Sequence, residues 1–239
     1  MDMSNAETEY FEWKHLYRIG GAAPFVGLIF YLSQFLIFFS GEAYPTTSEG
    51  WFKLFQRSKI LGLFFLNALD IFSIAILGLM FLALYTVLRH TSPSYMVIST
   101  FFALLGITVF VSSRASMVSG MLSLSDQYVS TISSGGQRTE VLAAGQVITS
   151  LSRATPETIG FLFMAIAGLS ISIVILQSET FINAIAYIGI LAFIMTIVNN
   201  ISLIVGPSIT SIIMPINGLL WSIWWVLVGG TLLQLSRKT

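Results

Sequence analysis

Long apolar runs separated by short polar segments dominate the chain, and each run is long enough to cross a bilayer as a helix. They fall at about residues 19–39, 60–88, 95–122, 155–176 and 181–205, with a sixth from 211 to the basic pair Arg237 and Lys238. Pro24 lies in the opening turns of the first, Gly206-Pro207 ends the fifth, and Thr155-Pro156-Glu157 is a cap, proline and acid that start the fourth. Before the first run, Tyr10, Trp13, Tyr17 and Gly20 share one helical face beside Lys14 and Arg18. This predicts an interfacial segment over 1–18 with its rings at the headgroups.

Two stretches between the runs keep helical periodicity. After the turn-rich loop 41–50, with Glu42, Pro45 and Glu49, residues 51–59 put Trp51, Leu54 and Phe55 opposite Lys53, Gln56 and Arg57, which predicts a helix lying on the membrane surface. In the long connection 123–155, the spacing of Met121, Leu124, Tyr128 and Ile132 continues the third helix beyond the bilayer. Ser133-Ser134-Gly135-Gly136 breaks it, and Val141, Ala144, Gly145, Ile148 and Leu151 form a second stripe opposite Gln146, Ser150 and Arg153. The expectation is an amphipathic helical hairpin between helices 3 and 4, lying as a lid over one mouth of the bundle. The fold class is therefore all-α, a polytopic six-transmembrane-helix bundle forming a single domain over 1–239.

Composition agrees with this. A chain 55% hydrophobic and 9% charged has too little polar surface for a soluble globule, and its mean hydropathy is +0.85. The absence of cysteine removes disulfides, thiolate catalysis, iron–sulfur clusters and cysteine-ligated zinc. A net charge of zero with no basic run gives no footprint for nucleic acid. The acidic start, Met1 to Glu12, differs from a secretory signal, so the first run is read as a span. An even number of spans puts both termini on one face. Basic residues tie across the two faces, and discounting Arg138 on the long loop favours both termini being cytoplasmic.

Within this frame Asp70 and Arg114 stand out as the two formal charges inside the apolar runs, equally far from Ser92 in the turn Arg89 to Pro93. Antiparallel helices rising ~1.5 Å per residue would set them at one depth, facing each other. A mid-membrane charge costs ~2.5–3.5 kcal/mol on insertion scales, so two at one level point to a pair or a watered cavity. Gln34, Asn67, Asn199, Asn200 and Asn217 fall in the same half of their spans, as do Ser112, Ser113 and Ser116. The fourth span adds only a seam of small residues, Gly160, Gly168 and Ser172. The expected site is thus a one-sided polar cavity around Asp70, Arg114, Asn67, Asn199, Asn200, Asn217 and Gln34. The bland reading is that these groups are interhelical hydrogen-bond glue worth ~0.6 kcal/mol each, and that the charges only fix helix packing.

Other chemistry finds no foothold. His15 and His90 lack a second ligand at metal spacing, and no histidine in a span could ligate haem. G-x-S-x-G, H-E-x-x-H and a phosphate-binding glycine loop followed by lysine are absent from the sequence. Asp70 is a lone carboxylate where paired-carboxylate catalysis needs two. No catalytic residue, metal or cofactor is assigned. Phe64, Phe65, Phe72 and Phe81 read as lipid-facing or packing groups, whereas Trp221, Trp224 and Trp225 lie too deep for an interfacial belt.

The segment Leu79 to Arg89 resembles a prokaryotic family of six-span integral membrane proteins known as a domain of unknown function, the 4386 type. So do Leu122 to Tyr128, Gln137-Arg138, Leu142 to Gln146 and Ala186 to Leu191. The resemblance covers nearly the whole chain and is most specific in the hairpin. It implies a multi-pass protein of a prokaryotic cytoplasmic membrane and transfers no catalytic residue. Three expectations for function follow. The first is a non-enzymatic protein that binds, senses or moves a small polar or amphipathic molecule, its partners being that ligand and the lipid bilayer. The second is a structural or regulatory membrane subunit, and the third an intramembrane enzyme. The two halves share no repeat of the kind that transporters carry, which favours binding or sensing over full transport.

Overall fold

A computed structural model describes residues 3–34, 41, 43–130, 135–152, 155–205 and 207–237. Glu42, Ile132, Ser133, Ser134, Arg153, Gly206 and Lys238, and the side chains of Tyr10, Leu151, Thr155 and Pro156, lie outside what is described. Among the described residues all regular structure is helical. In chain order the helices are α1 (Met3–Ser33), α2 (Ser48–Arg57), α3 (Lys59–Phe65), α4 (Asp70–Leu88), α5 (Pro93–Ser130), α6 (Gly135–Ser152), α7 (Thr155–Leu176), α8 (Asn183–Val205) and α9 (Pro207–Leu235).

Six of these are long and apolar enough to cross a membrane: α1, α4, α5, α7, α8 and α9. Each packs on its neighbours in the cyclic order α1, α4, α5, α7, α8, α9, and α9 closes back on α1. Glycines bring the backbones together where the ring needs it. A Cβ on Gly106 of α5 would stand 2.6 Å from the Gly160 carbonyl of α7, and one on Gly229 of α9 would stand 2.7 Å from the Gly21 carbonyl of α1. Without a hydrophobic difference between lipid and side chain, such close approach gives the dispersion contact that holds membrane helices together. The small-residue seam of α7 serves two partners: Gly160 meets Gly106 and Phe110 of α5, while Gly168 lies against the Phe193 ring of α8. The ring is filled by aromatic packing, with fully buried Trp224 between Phe81 at 6.5 Å and Phe193 at 5.0 Å.

A second core lies outside the ring. α2 begins at Thr47, whose side chain caps Gly50 N–H, and ends at Ser58, which is extended and caps α3 through Leu61 N–H. Its apolar face, Trp51, Phe52, Leu54 and Phe55, is buried against Met121 and Tyr128 of the α5 extension and Val141 of α6. The amphipathic pattern predicted for 51–59 is therefore real, but protein rather than the bilayer surface covers it. A further difference concerns 13–20. Tyr17 is 3% exposed in the bundle core, Gly20 abuts Leu79 and Ala83 of α4, and Trp13 lies under Arg89 at 5.7 Å. From Trp13 on, that face runs into the α1–α4 contact, so helix packing buries Tyr17 and Gly20.

The run 60–88 is not one helix. Its continuity breaks over 66–69, where Asn67 takes the left-handed conformation at φ 51°. Asparagine is among the few residues with a side chain that tolerate this region. Asp70 consequently opens α4 instead of sitting in mid-helix.

Candidate functional site

The break at 66–69 governs the local chemistry. Where α3 stops, the Leu66 carbonyl has no helical partner, and Arg114 Nη1 donates to it at 3.0 Å. Nη2 of the same guanidinium donates to Glu157 Oε2 at 2.7 Å, with the two side chains only 12% and 15% exposed. Its carbon lies 5.5 Å above the Phe110 ring. Arg114 is thus paired with the acid that starts α7, and no ion pair within 4 Å joins it to Asp70 among the described residues. The expectation of an Asp70–Arg114 pair is corrected on this point, as is that of only two charges in the spans. Helix α7 places Glu157 on the cavity wall, closer to Arg114 than α4 places Asp70.

Asp70 has a different neighbour. Its Oδ1 accepts from Gln34 Nε2 at 2.6 Å, joining the end of α1 to the start of α4. At a helix N-terminus the carboxylate also meets the positive end of the macrodipole. Depth is revised too. From Asp70 to Leu88, and from Glu157 to Leu176, a helix rising ~1.5 Å per residue spans about 27–29 Å, roughly one hydrocarbon thickness. Asp70 and Glu157 therefore stand at one end of their apolar helices and not midway along them, and a charge costs less at such an end than at the centre of a span.

These residues line a cavity of about 220 Å³ to which all six spans contribute. Tyr31 comes from α1, Asp70 and Ser73 from α4, Phe110 and Arg114 from α5, and Glu157 and Phe161 from α7. Thr196, Asn199 and Asn200 come from α8, Asn217, Trp221, Ser222 and Trp225 from α9, and Asn67 from the turn. Of the seven residues singled out in the sequence, the fold brings six to this wall. The seventh, Gln34, stands behind it on Asp70. Ser112, Ser113 and Ser116 are not on the wall, because α5 turns that face elsewhere. Among the described residues none of α2 or α6 lines the cavity, and the described part of the hairpin packs on α2.

Some wall residues are engaged in packing. Thr196, 2% exposed, accepts from Asn217 Nδ2 at 3.1 Å and from Trp221 Nε1 at 2.8 Å, which ties α9 to α8. Others are unsatisfied. Among the described residues no hydrogen-bond partner reaches Arg114 Nε, Glu157 Oε1, Asn199 Oδ1, Asn200 Nδ2 or Trp225 Nε1. A buried polar atom left without a partner costs about 1–3 kcal/mol, and five such atoms belong to residues that line this one cavity. The cavity's volume admits several waters or one small organic molecule. No group of three or more metal-ligating side chains occurs among the described residues.

Sequence reasoning missed Glu157, Thr196, Trp221 and Trp225 as wall residues. Glu157 was accounted for by its place in a helix-start signal, and the tryptophans signalled only that they lie deep. Comparison with known proteins finds no match among curated sequences and none among solved structures. A family profile does match, over residues 56–229, from the cap helix α2 to the last turns of α9. Six apolar helices and a match over most of the chain lead to one conclusion: the protein belongs to the membrane-protein family described as Domain of unknown function (DUF4386).

Proposed function

We propose that the protein binds a small polar or amphipathic molecule in the cavity beside Asp70, Arg114 and Glu157, and that it senses this molecule or moves it through the membrane. The observation that carries this reading is the wall itself, to which six helices bring charged groups and unpartnered polar atoms at one end of the bundle. A purely architectural polar cluster would close on its own hydrogen bonds, as Thr196, Asn217 and Trp221 do. With both termini on the cytoplasmic side, the orientation favoured once Arg138 on the long loop is discounted, the cavity opens away from the cytoplasm of a prokaryotic cell.

The chain's lack of cysteine makes the test direct. Single substitutions Ser222→Cys and Asn200→Cys on the wall are compared with Ala167→Cys, which is fully buried in the bundle core. A membrane-impermeant methanethiosulfonate reagent, applied to intact cells, should modify the two wall positions at least tenfold faster than the core position. Equal protection of all three, in intact and in opened cells, would leave the second reading, a packing cluster in a structural subunit. Modification only in opened cells would keep the cavity and reverse the orientation.

A further inference from the structure

The charge balance and lining of the cavity specify a class of ligand, an inference that rests on the binding reading above. Two carboxylates, Asp70 and Glu157, face one guanidinium, Arg114, so the ionised site carries a formal net charge of −1. Arg114 bonds Glu157 and the Leu66 carbonyl, so among the described residues the side-chain hydrogen bond to Asp70 comes from the neutral amide of Gln34. Around these groups stand the rings of Phe110, Phe161, Trp221 and Trp225. That such a ring accepts a cation here is visible in Arg114, 5.5 Å from the Phe110 centroid. The unpartnered atoms complete the description. Glu157 Oε1 and Asn199 Oδ1 are acceptors that call for N–H donors. Asn200 Nδ2 and Trp225 Nε1 are donors on residues 8% and 4% exposed, and they call for an acceptor.

We infer that the cavity takes a protonated primary or secondary amine carrying a neutral hydrogen-bond acceptor, such as an amino alcohol. Its ammonium group sits among Asp70, Glu157 and the aromatic faces, and its hydroxyl or carbonyl meets Asn200 and Trp225. An anion would meet a net negative site, and a quaternary ammonium would leave the acceptors unsatisfied.

The test uses three probes of closely similar length: 5-amino-1-pentanol, its uncharged counterpart 1,5-pentanediol, and the anion 5-hydroxypentanoate. Each is titrated against the rate at which Ser222→Cys is modified in the detergent-solubilised full chain. The amino alcohol should halve that rate at a concentration at least tenfold below the diol, with the anion without effect. Asp70→Asn in the same background should abolish the tenfold preference. If that variant fails to fold, the comparison of the three probes on Asp70-containing protein still decides. Equal protection by the diol, stronger protection by the anion, or protection by none would overturn the amine assignment while the cavity stays accessible. A Ser222→Cys position that is never modified would sink the cavity reading itself.

Discussion

Arg114 is held by three unlike contacts: a carboxylate, a backbone carbonyl and an aromatic face. Removing it leaves Glu157 buried without a counter-charge, the situation in which breaking an ion pair costs most. Arg114→Leu is therefore expected to lose about 3–5 kcal/mol of stability. Glu157→Gln keeps an oxygen that can accept from Arg114 and should lose only about 1–3 kcal/mol. Unfolding of the purified protein in detergent, followed by heat or denaturant, ranks the two. Similar losses would mean that the guanidinium draws its stability from Leu66 and Phe110 rather than from the pair. At this scale Asp70 and Arg114 were legible because a charge in an apolar run has no local excuse. Glu157 was hidden because Thr155-Pro156-Glu157 gave it one.

The element that decides the site is the break between α3 and α4. Nothing in the hydropathy of 60–88 interrupts a helix, and Asn67 was noticed for its polarity rather than its backbone. Its φ of 51° frees the Leu66 carbonyl for Arg114 and turns Asp70 into a helix start. Asn67→Gly should fold as well as the parent, whereas a β-branched residue there should cost about 1–3 kcal/mol, the penalty for strained backbone at such positions. Thermal unfolding of the Gly and Val variants tests this, and a harmless Asn67→Val would show that the segment can be helical. The amphipathic face of α2 was readable from spacing alone, since Trp51, Leu54 and Phe55 recur at helical intervals. What covers that face was not, because headgroups and a neighbouring helix bury the same side chains equally well.

Across the whole molecule a bundle and a cap meet at Leu66, whose side chain is 1% exposed in the cap core while its carbonyl binds Arg114 on the cavity wall. The far end of the cap is tied by Glu49, which contacts Lys53 at 3.1 Å and accepts from Tyr128 at 3.1 Å, with Arg138 bonded to both Glu49 and Tyr128. The hydrogen bond from Lys53, then that from Tyr128, holds the Glu49 carboxyl below its ordinary value of 4.5. A depressed carboxylate stabilises the folded form fully above its unfolded value, and this contribution is lost as pH falls through the lower, folded one. Corrected for the intrinsic pH dependence of exchange, the protection of α2 should thus be constant from neutral pH to about 5 and fall below the ordinary carboxylate value, more weakly in high salt. Glu49→Gln should remove that acid-side step, and its persistence would place the loosening elsewhere. By itself the sequence determined the membrane class, six spans, the amphipathic helices and the end of the bundle where polar residues gather, because hydropathy and periodicity are properties of a chain read locally. Tertiary structure alone decided that Arg114 pairs with Glu157, that α6 packs on α2, and that Trp221 and Trp225 reach the cavity wall. Those outcomes depend on which helices are neighbours in the ring, and on one left-handed residue that no local pattern announces.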